Sequence, residues 1–174
     1  MSGQVQKVAH RLSQGFGALA PARIQAGREA ALASSLTVMQ AGAFRGLPAY
    51  DQVHLLNVHA RLTAAGVTDA YLLIAGLLHD IGKMDQYGVV RLPDRVAYVL
   101  LRWLGPAMLA RLAESPKPGA GYGLHLCVHH PRLGAERAAA LGCNARTVWL
   151  IANHDADNVP FDRELALLQV ADRG

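Results

Sequence analysis

The chain has 174 residues, 52% of them apolar and 17% charged, with 17 Lys and Arg against 13 Asp and Glu for a net charge of +4. That length and apolar share suit one domain with a sizeable core, and they exclude disorder over most of the chain. Two cysteines, Cys127 and Cys143, exclude a disulfide scaffold and point to a reducing, cytoplasmic setting.

Residues 1–15 lack the apolar core of a signal peptide. The greasiest stretches, 70–78 and 96–104, fall well short of the ~20 apolar residues of a membrane span. No membrane partner is expected. The positive charge suits an anionic substrate but is too small and scattered to argue for nucleic acid.

No long stretch alternates with the period of two that strands require, whereas apolar residues recur at helical spacing. The expected fold is all-α, a single helical domain. Residues 1–20 read as a short helix or loose arm, and 21–174 as the core. An Ala-rich helix over 22–44 is stopped by Gly46 and Pro48, and a second spans 49–65, with Gly66 past its end. Thr68 and Asp69 precede a helix over 70–78 that is apolar on nearly every face and therefore central. Helices follow over 94–104 and 107–114, separated by Gly105–Pro106, and then a Gly/Pro-rich loop over 115–123. Pro131 suits the first turn of a helix reaching 141, which makes His130 its N-cap; helices over 146–153 and 162–172 complete the chain. Trp103 and Trp149 lie in apolar helical runs and read as core.

The eight histidines decide the chemistry. His79 and Asp80 end the central helix as adjacent nitrogen and oxygen donors, with Gly82 allowing a sharp turn and Lys83 adding a cation. An apolar helix does not end on inward-facing His and Asp unless something satisfies them. His54 lies mid-helix on a face shared with Leu55 and Val58. His59, rotated ~140° from it at 3.6 residues per turn, belongs to the surface. His130 is free to point into a site, with His129 and His125 weaker candidates. His154 and Asp155 form a second His-Asp at a helix end. Asp172 follows Leu165, Leu168 and Gln169 at helical spacing, which puts a carboxylate in the buried stripe, where a metal or an arginine would relieve it. Arg91, Arg95 and Arg102 fall at spacings that can form one basic stripe, Tyr122 can line a pocket, and Cys127 and Cys143 read as small apolar residues.

His54, then His79–Asp80 within LLIAGLLHDIGK, then Asp172 within LLQVADR, resemble the HD-domain superfamily of metal-dependent phosphohydrolases. The resemblance covers about two-thirds of the chain, from Ala49 to Asp172, and its core string is highly specific. His130 in HPRLGAERAAALG and His154 in IANHD resemble the two further histidines of the binuclear branch, the HD-GYP-type phosphodiesterases. No Gly-Tyr-Pro loop follows, so cyclic dinucleotide specificity is not carried over. Where that branch often reads His-His-Glu, this chain reads His154–Asp155–Ala156, which leaves the part of Asp155 open. Tyr50 stands where some relatives carry a ligand Glu, which argues against a third metal.

The resemblance implies an HD-domain-like helical bundle with two ions bridged by Asp80. His54, His79 and Asp172 would hold one ion, and His130 and His154 the other. It implies hydrolysis of a phosphate mono- or diester of a small molecule, a nucleotide foremost, with a metal-bridged hydroxide as nucleophile. Asp80 and Lys83 would be the catalytic pair. Four imidazoles with carboxylates suit Fe, Mn, Co, Ni or Zn better than Mg. Two alternatives share the pattern: a di-iron oxygenase of the myo-inositol oxygenase type, and a non-catalytic nucleotide-sensing module.

Overall fold

The computed structural model describes residues 34–119 and 121–174, together with residues 30 and 32. The expected arm over 1–20, and most of the first part of the helix expected over 22–44, lie outside the described residues.

The regular elements among the described residues are helices: α1 (Val38–Arg45), α2 (Ala49–Ala64), α3 (Ala70–Leu78), a 3-10 turn (Ile81–Lys83), α4 (Leu92–Leu104), α5 (Pro106–Ala113), α6 (Tyr122–Ala140), α7 (Ala145–Asn153) and α8 (Arg163–Arg173). Among the described residues, extended backbone pairs at a single bridge, Met84 with Val89. No helix among the described residues is long and apolar enough to cross a membrane.

Local chemistry sets most boundaries. Thr37 and Gln40 form a capping box at the start of α1, which interrupts the helix expected over 22–44. Asn144 caps α7 and Asp162 caps α8, each side chain accepting from the backbone N–H three residues on. Gly66 and Gly142, with φ of 80° and 75°, follow α2 and α6 in the left-handed region that closes a helix.

The largest departure from the sequence reading is α6. It begins at Tyr122, inside the expected loop, and runs through Pro131 without ending. His130 is therefore a mid-helix residue and not an N-cap. Leu124, Leu126 and Cys127 on the new N-terminal half are buried against α4 and α5, and that packing carries the helix past its proline.

Helix α3 lies in the middle, packed against α2, α7 and α8, while α6 crosses the 3-10 turn that follows it. The core joins Leu55, Val58 and Leu62 of α2 to Leu72, Leu77 and Leu78 of α3, Leu150 and Ile151 of α7 and Leu168 of α8. Truncating any of these leucines to alanine is worth about 2–5 kcal/mol. Gly82 is where α6 comes closest: a Cβ there would lie 2.1 Å from the His130 carbonyl oxygen and 2.5 Å from the Gly134 nitrogen. Only glycine permits that contact, and the contact sets Asp80 beside His130.

Trp149 packs at the margin of the core, but Trp103 does not; it is 54% exposed. Helix α4 turns Ala97, Tyr98 and Leu101 inward against α5 and α6, which leaves Leu92, Val96, Leu100 and Trp103 on its outer face.

Candidate metal centre

Asp80 lies at the middle of the bundle, 1% exposed, just past the end of α3. Its two oxygens face different partners. Oδ2 lies 3.9 Å from His54 Nε2, 3.8 Å from His79 Nε2 and 2.5 Å from Lys83 Nζ. Oδ1 lies 3.4 Å from His130 Nε2 and 3.8 Å from His154 Nε2. Asp172 completes the first side from the last turn of α8, with Oδ1 at 2.8 Å from His54 Nε2 and 3.4 Å from His79 Nε2. On the second side, the Nε2 atoms of His130 and His154 are 3.2 Å apart.

Five helices and the 3-10 turn deliver these groups, and helix ends explain much of why. A helix leaves its last carbonyls without an intrahelical partner. His79, at the end of α3, donates Nδ1–H to the Gly76 carbonyl at 3.2 Å, and His154, at the end of α7, donates Nδ1–H to the Ile151 carbonyl at 2.7 Å. His130 makes the same bond to the carbonyl three residues back, Nδ1 to Cys127 O at 2.8 Å. An imidazole whose Nδ1 carries its proton presents Nε2 as a lone pair. Three imidazoles are thus held as inward-facing acceptors, each anchored by a backbone carbonyl as metal-ligating histidines are.

That arrangement suits a cation. His79 Nε2 is buried with no hydrogen-bond partner. Two donors each ~2.1 Å from a shared ion stand about 3.0–3.4 Å apart at octahedral or tetrahedral angles. The contacts of Asp172 with His54 and His79, of His130 with His154, and of His130 with Asp80 run from 2.8 to 3.4 Å. Two donor groups converge closely enough to hold an ion: His54, His79 and Asp80, and Asp80, His130 and His154. Mixed imidazole and carboxylate donors favour transition metals over magnesium.

The electrostatics follow from this crowding. Burial pushes the Asp80 carboxyl up, but Lys83 and the imidazoles of His79, His130 and His54 outweigh it and hold it well below its ordinary value. Asp172 is likewise held far down, against burial, by the His54 imidazole bonded to it and by the neighbouring His79. His79 is raised, because the attraction of Asp80 and Asp172 exceeds the cost of burying its charge. Burial lowers both His130 and His154, helped by Lys83 for the first and by His79 for the second.

The remaining sequence candidates lie elsewhere. Asp155 belongs to neither donor group. His59 is half-buried and not at the surface, its Nε2 3.5 Å from Ser35 Oγ because α2 turns that face toward the segment before α1. His125 is buried with Nδ1 2.7 Å from the Ala113 carbonyl, and stacks on Tyr122, whose hydroxyl bonds Asp85 and not a site group. Burial pushes the Cys127 thiol up to about 12, which leaves it an apolar side chain and no nucleophile.

One buried residue beside the centre carries no role in the sequence reading. Asp51, three residues before His54 on the same face of α2, is 1% exposed and takes both of its hydrogen bonds from the Arg95 guanidinium, at 2.6 and 2.8 Å. Arg95 also lies over the Tyr50 ring at 4.5 Å, so it is an internal counter-ion and no member of a basic stripe. The i, i+3 spacing of Asp51 and His54 is the signal that would have found the carboxylate. Tyr50 itself bonds the Val90 carbonyl at 2.7 Å, away from the centre.

No family model matches the chain, and neither a curated protein nor a solved structure matches it.

Proposed function

We propose that the protein is a metal-dependent phosphohydrolase of the HD-domain type, cleaving a phosphate mono- or diester of a small molecule, with nucleotides the favoured class. The observation that carries this reading is one buried carboxylate, Asp80, with an oxygen turned to each of two imidazole groups and the Lys83 ammonium on Oδ2. His54, His79 and Asp172 would hold one ion, and His130 and His154 the other, with Asp80 shared between them. Two such ions, when bound, lower the pKa of a shared water and stabilise the attacking and leaving oxygens of an in-line displacement.

The chain's own residues supply the rest. The Nδ1–H bonds to Gly76, Cys127 and Ile151 keep three imidazoles aimed inward, so little reorganisation accompanies binding. Lys83 is, with Asp172, a partly open member of the cluster, its side-chain exposure 18% against 21%. Its ammonium is the group that can reach a phosphoryl oxygen and offset charge as it develops there. Leu77, Leu78 and Ile151, on the helices that end at His79 and His154, are fully buried.

The test is elemental analysis of freshly purified protein, followed by phosphate release from nucleoside monophosphates, cyclic nucleotides and aryl phosphates with Mn, Co, Ni or Zn supplied. About two equivalents of a transition metal and metal-dependent phosphate release are expected. Iron with oxygen uptake and no phosphate release would move the protein to the oxygenase class. Failure to bind any metal after reconstitution, with tight nucleotide binding, would make it a sensing module.

A further inference from the structure

We propose that Pro131 is a positioning residue for the metal centre: by withholding a backbone N–H inside α6 it reserves the Cys127 carbonyl for the His130 imidazole. This rests on the reading of His130 as a metal ligand. His79 and His154 find their carbonyls at the ends of α3 and α7, where a helix runs out of N–H groups. His130 has no such end. It sits in the middle of a helix running from Tyr122 to Ala140, where each carbonyl normally accepts from the N–H four residues on.

The residue four after Cys127 is Pro131, which has no N–H to give, and whose ring crowds the carbonyl of the residue four back. Cys127 O therefore lacks its usual N–H partner, and His130 Nδ1 reaches it at 2.8 Å. The bond fixes two things together: the ring's rotation, and the tautomer with Nε2 unprotonated. That Nε2 is the atom 3.4 Å from Asp80 Oδ1 and 3.2 Å from His154 Nε2. The mid-helix proline thus builds, inside an unbroken helix, the orphan carbonyl that the other two histidines obtain from a helix terminus. Gly82 supports the same register, because its missing side chain lets α6 press its His130–Gly134 turn onto the 3-10 segment.

The variant Pro131→Ala restores the N–H and separates this role from a packing role, because the two move in opposite directions. Alanine favours a helix interior, so the thermal midpoint should hold or rise. Competition for the Cys127 carbonyl should shift metal-free His130 toward the Nε2–H tautomer, read from imidazole 15N shifts. The affinity for Zn2+ at the second site should fall about 10–100-fold, the usual worth of a ligand's outer partner. Pro131→Leu restores the same N–H and serves if the alanine variant does not fold. An Nε2–H tautomer for His130 in the wild type would overturn the inference. So would a variant that keeps the Nδ1–H tautomer with unchanged Zn2+ affinity. If the wild-type protein binds no metal, the phosphohydrolase reading falls, while the tautomer shift in the metal-free variant still decides this one.

Discussion

On one side of Asp80, His54 and His79 converge on Asp172 Oδ1 at 2.8 and 3.4 Å. On the other, His130 and His154 turn their Nε2 atoms toward each other at 3.2 Å, while both Nδ1 atoms are engaged with backbone carbonyls. On the first side Asp172 meets His54 at hydrogen-bond distance, while His79 Nε2 is left without a hydrogen-bond partner. The second places two lone pairs face to face in a buried pocket, where nothing but a proton or a cation between them gives attraction. The same residue types therefore teach different things. The His54–Asp172 contact is what a structural ion pair also looks like; the facing Nε2 atoms of the second side are where the geometry asks most plainly for a metal.

The variant Asp80→Ala should have the largest effect, because it removes the one carboxylate that touches both sides. Metal affinity should drop more than about 100-fold at both sites, since even an outer partner of a ligand is worth 10–100-fold. Phosphate release should disappear with it. His154→Ala sharpens the comparison by leaving one ion beside His54 and Asp172. Elemental analysis of both variants reads the difference, and full metal content in Asp80→Ala would break the shared-carboxylate picture.

A smaller effect is expected in pH behaviour, and the two sides have opposite signs. The folded state holds the His79 proton more tightly than the unfolded chain, whose ordinary value is 6.5. Its contribution to stability is whole below that value and is lost as the pH rises through the raised folded one. His130 and His154 hold a proton less tightly than the unfolded chain. Their contribution is whole above about 6.5 and is lost as the pH falls toward the lowered folded values. An NMR titration of the metal-free protein should find the His79 midpoint above those of His130 and His154. The reverse order would erase the contrast between the two sides.

What is legible in the amino-acid sequence divides along a physical line of its own, local pattern against long-range packing. His79, Asp80 and His154 follow runs of apolar helix, and Asp172 closes an apolar stripe, so burial of a polar group is readable from pattern alone. All of helix α3 is readable for the same reason: Ala70–Leu78 is apolar throughout and bounded by Asp69 and His79. Pro131 is not, because its local preference for a first turn yields to the packing of Leu124, Leu126 and Cys127 ahead of it. Trp103 misleads because α4 turns Arg95 inward to meet Asp51, and that long-range pair sets which face is exposed. The Asp51–Arg95 pair joins residues 44 apart, a distance no local pattern reports.

Asp155 provides the finest test of the comparison, since its place beside His154 in the sequence makes it a candidate donor to the second side. Its carboxylate is in neither group of converging donors, while it contributes to the field that raises Arg102. Peptide geometry explains the exclusion. His154 turns back on its own helix to bond Ile151, and successive residues of a helical turn are rotated ~100° from one another, so the two side chains do not share a direction. Asp155→Ala should therefore keep the metal stoichiometry of the wild type and change affinity by less than about twofold, whereas His154→Ala loses an ion. If Asp155→Ala emptied the second site as His154→Ala does, the second side would contain a carboxylate of its own. The two sides of Asp80 would then be alike after all, each an imidazole pair closed by its own acid.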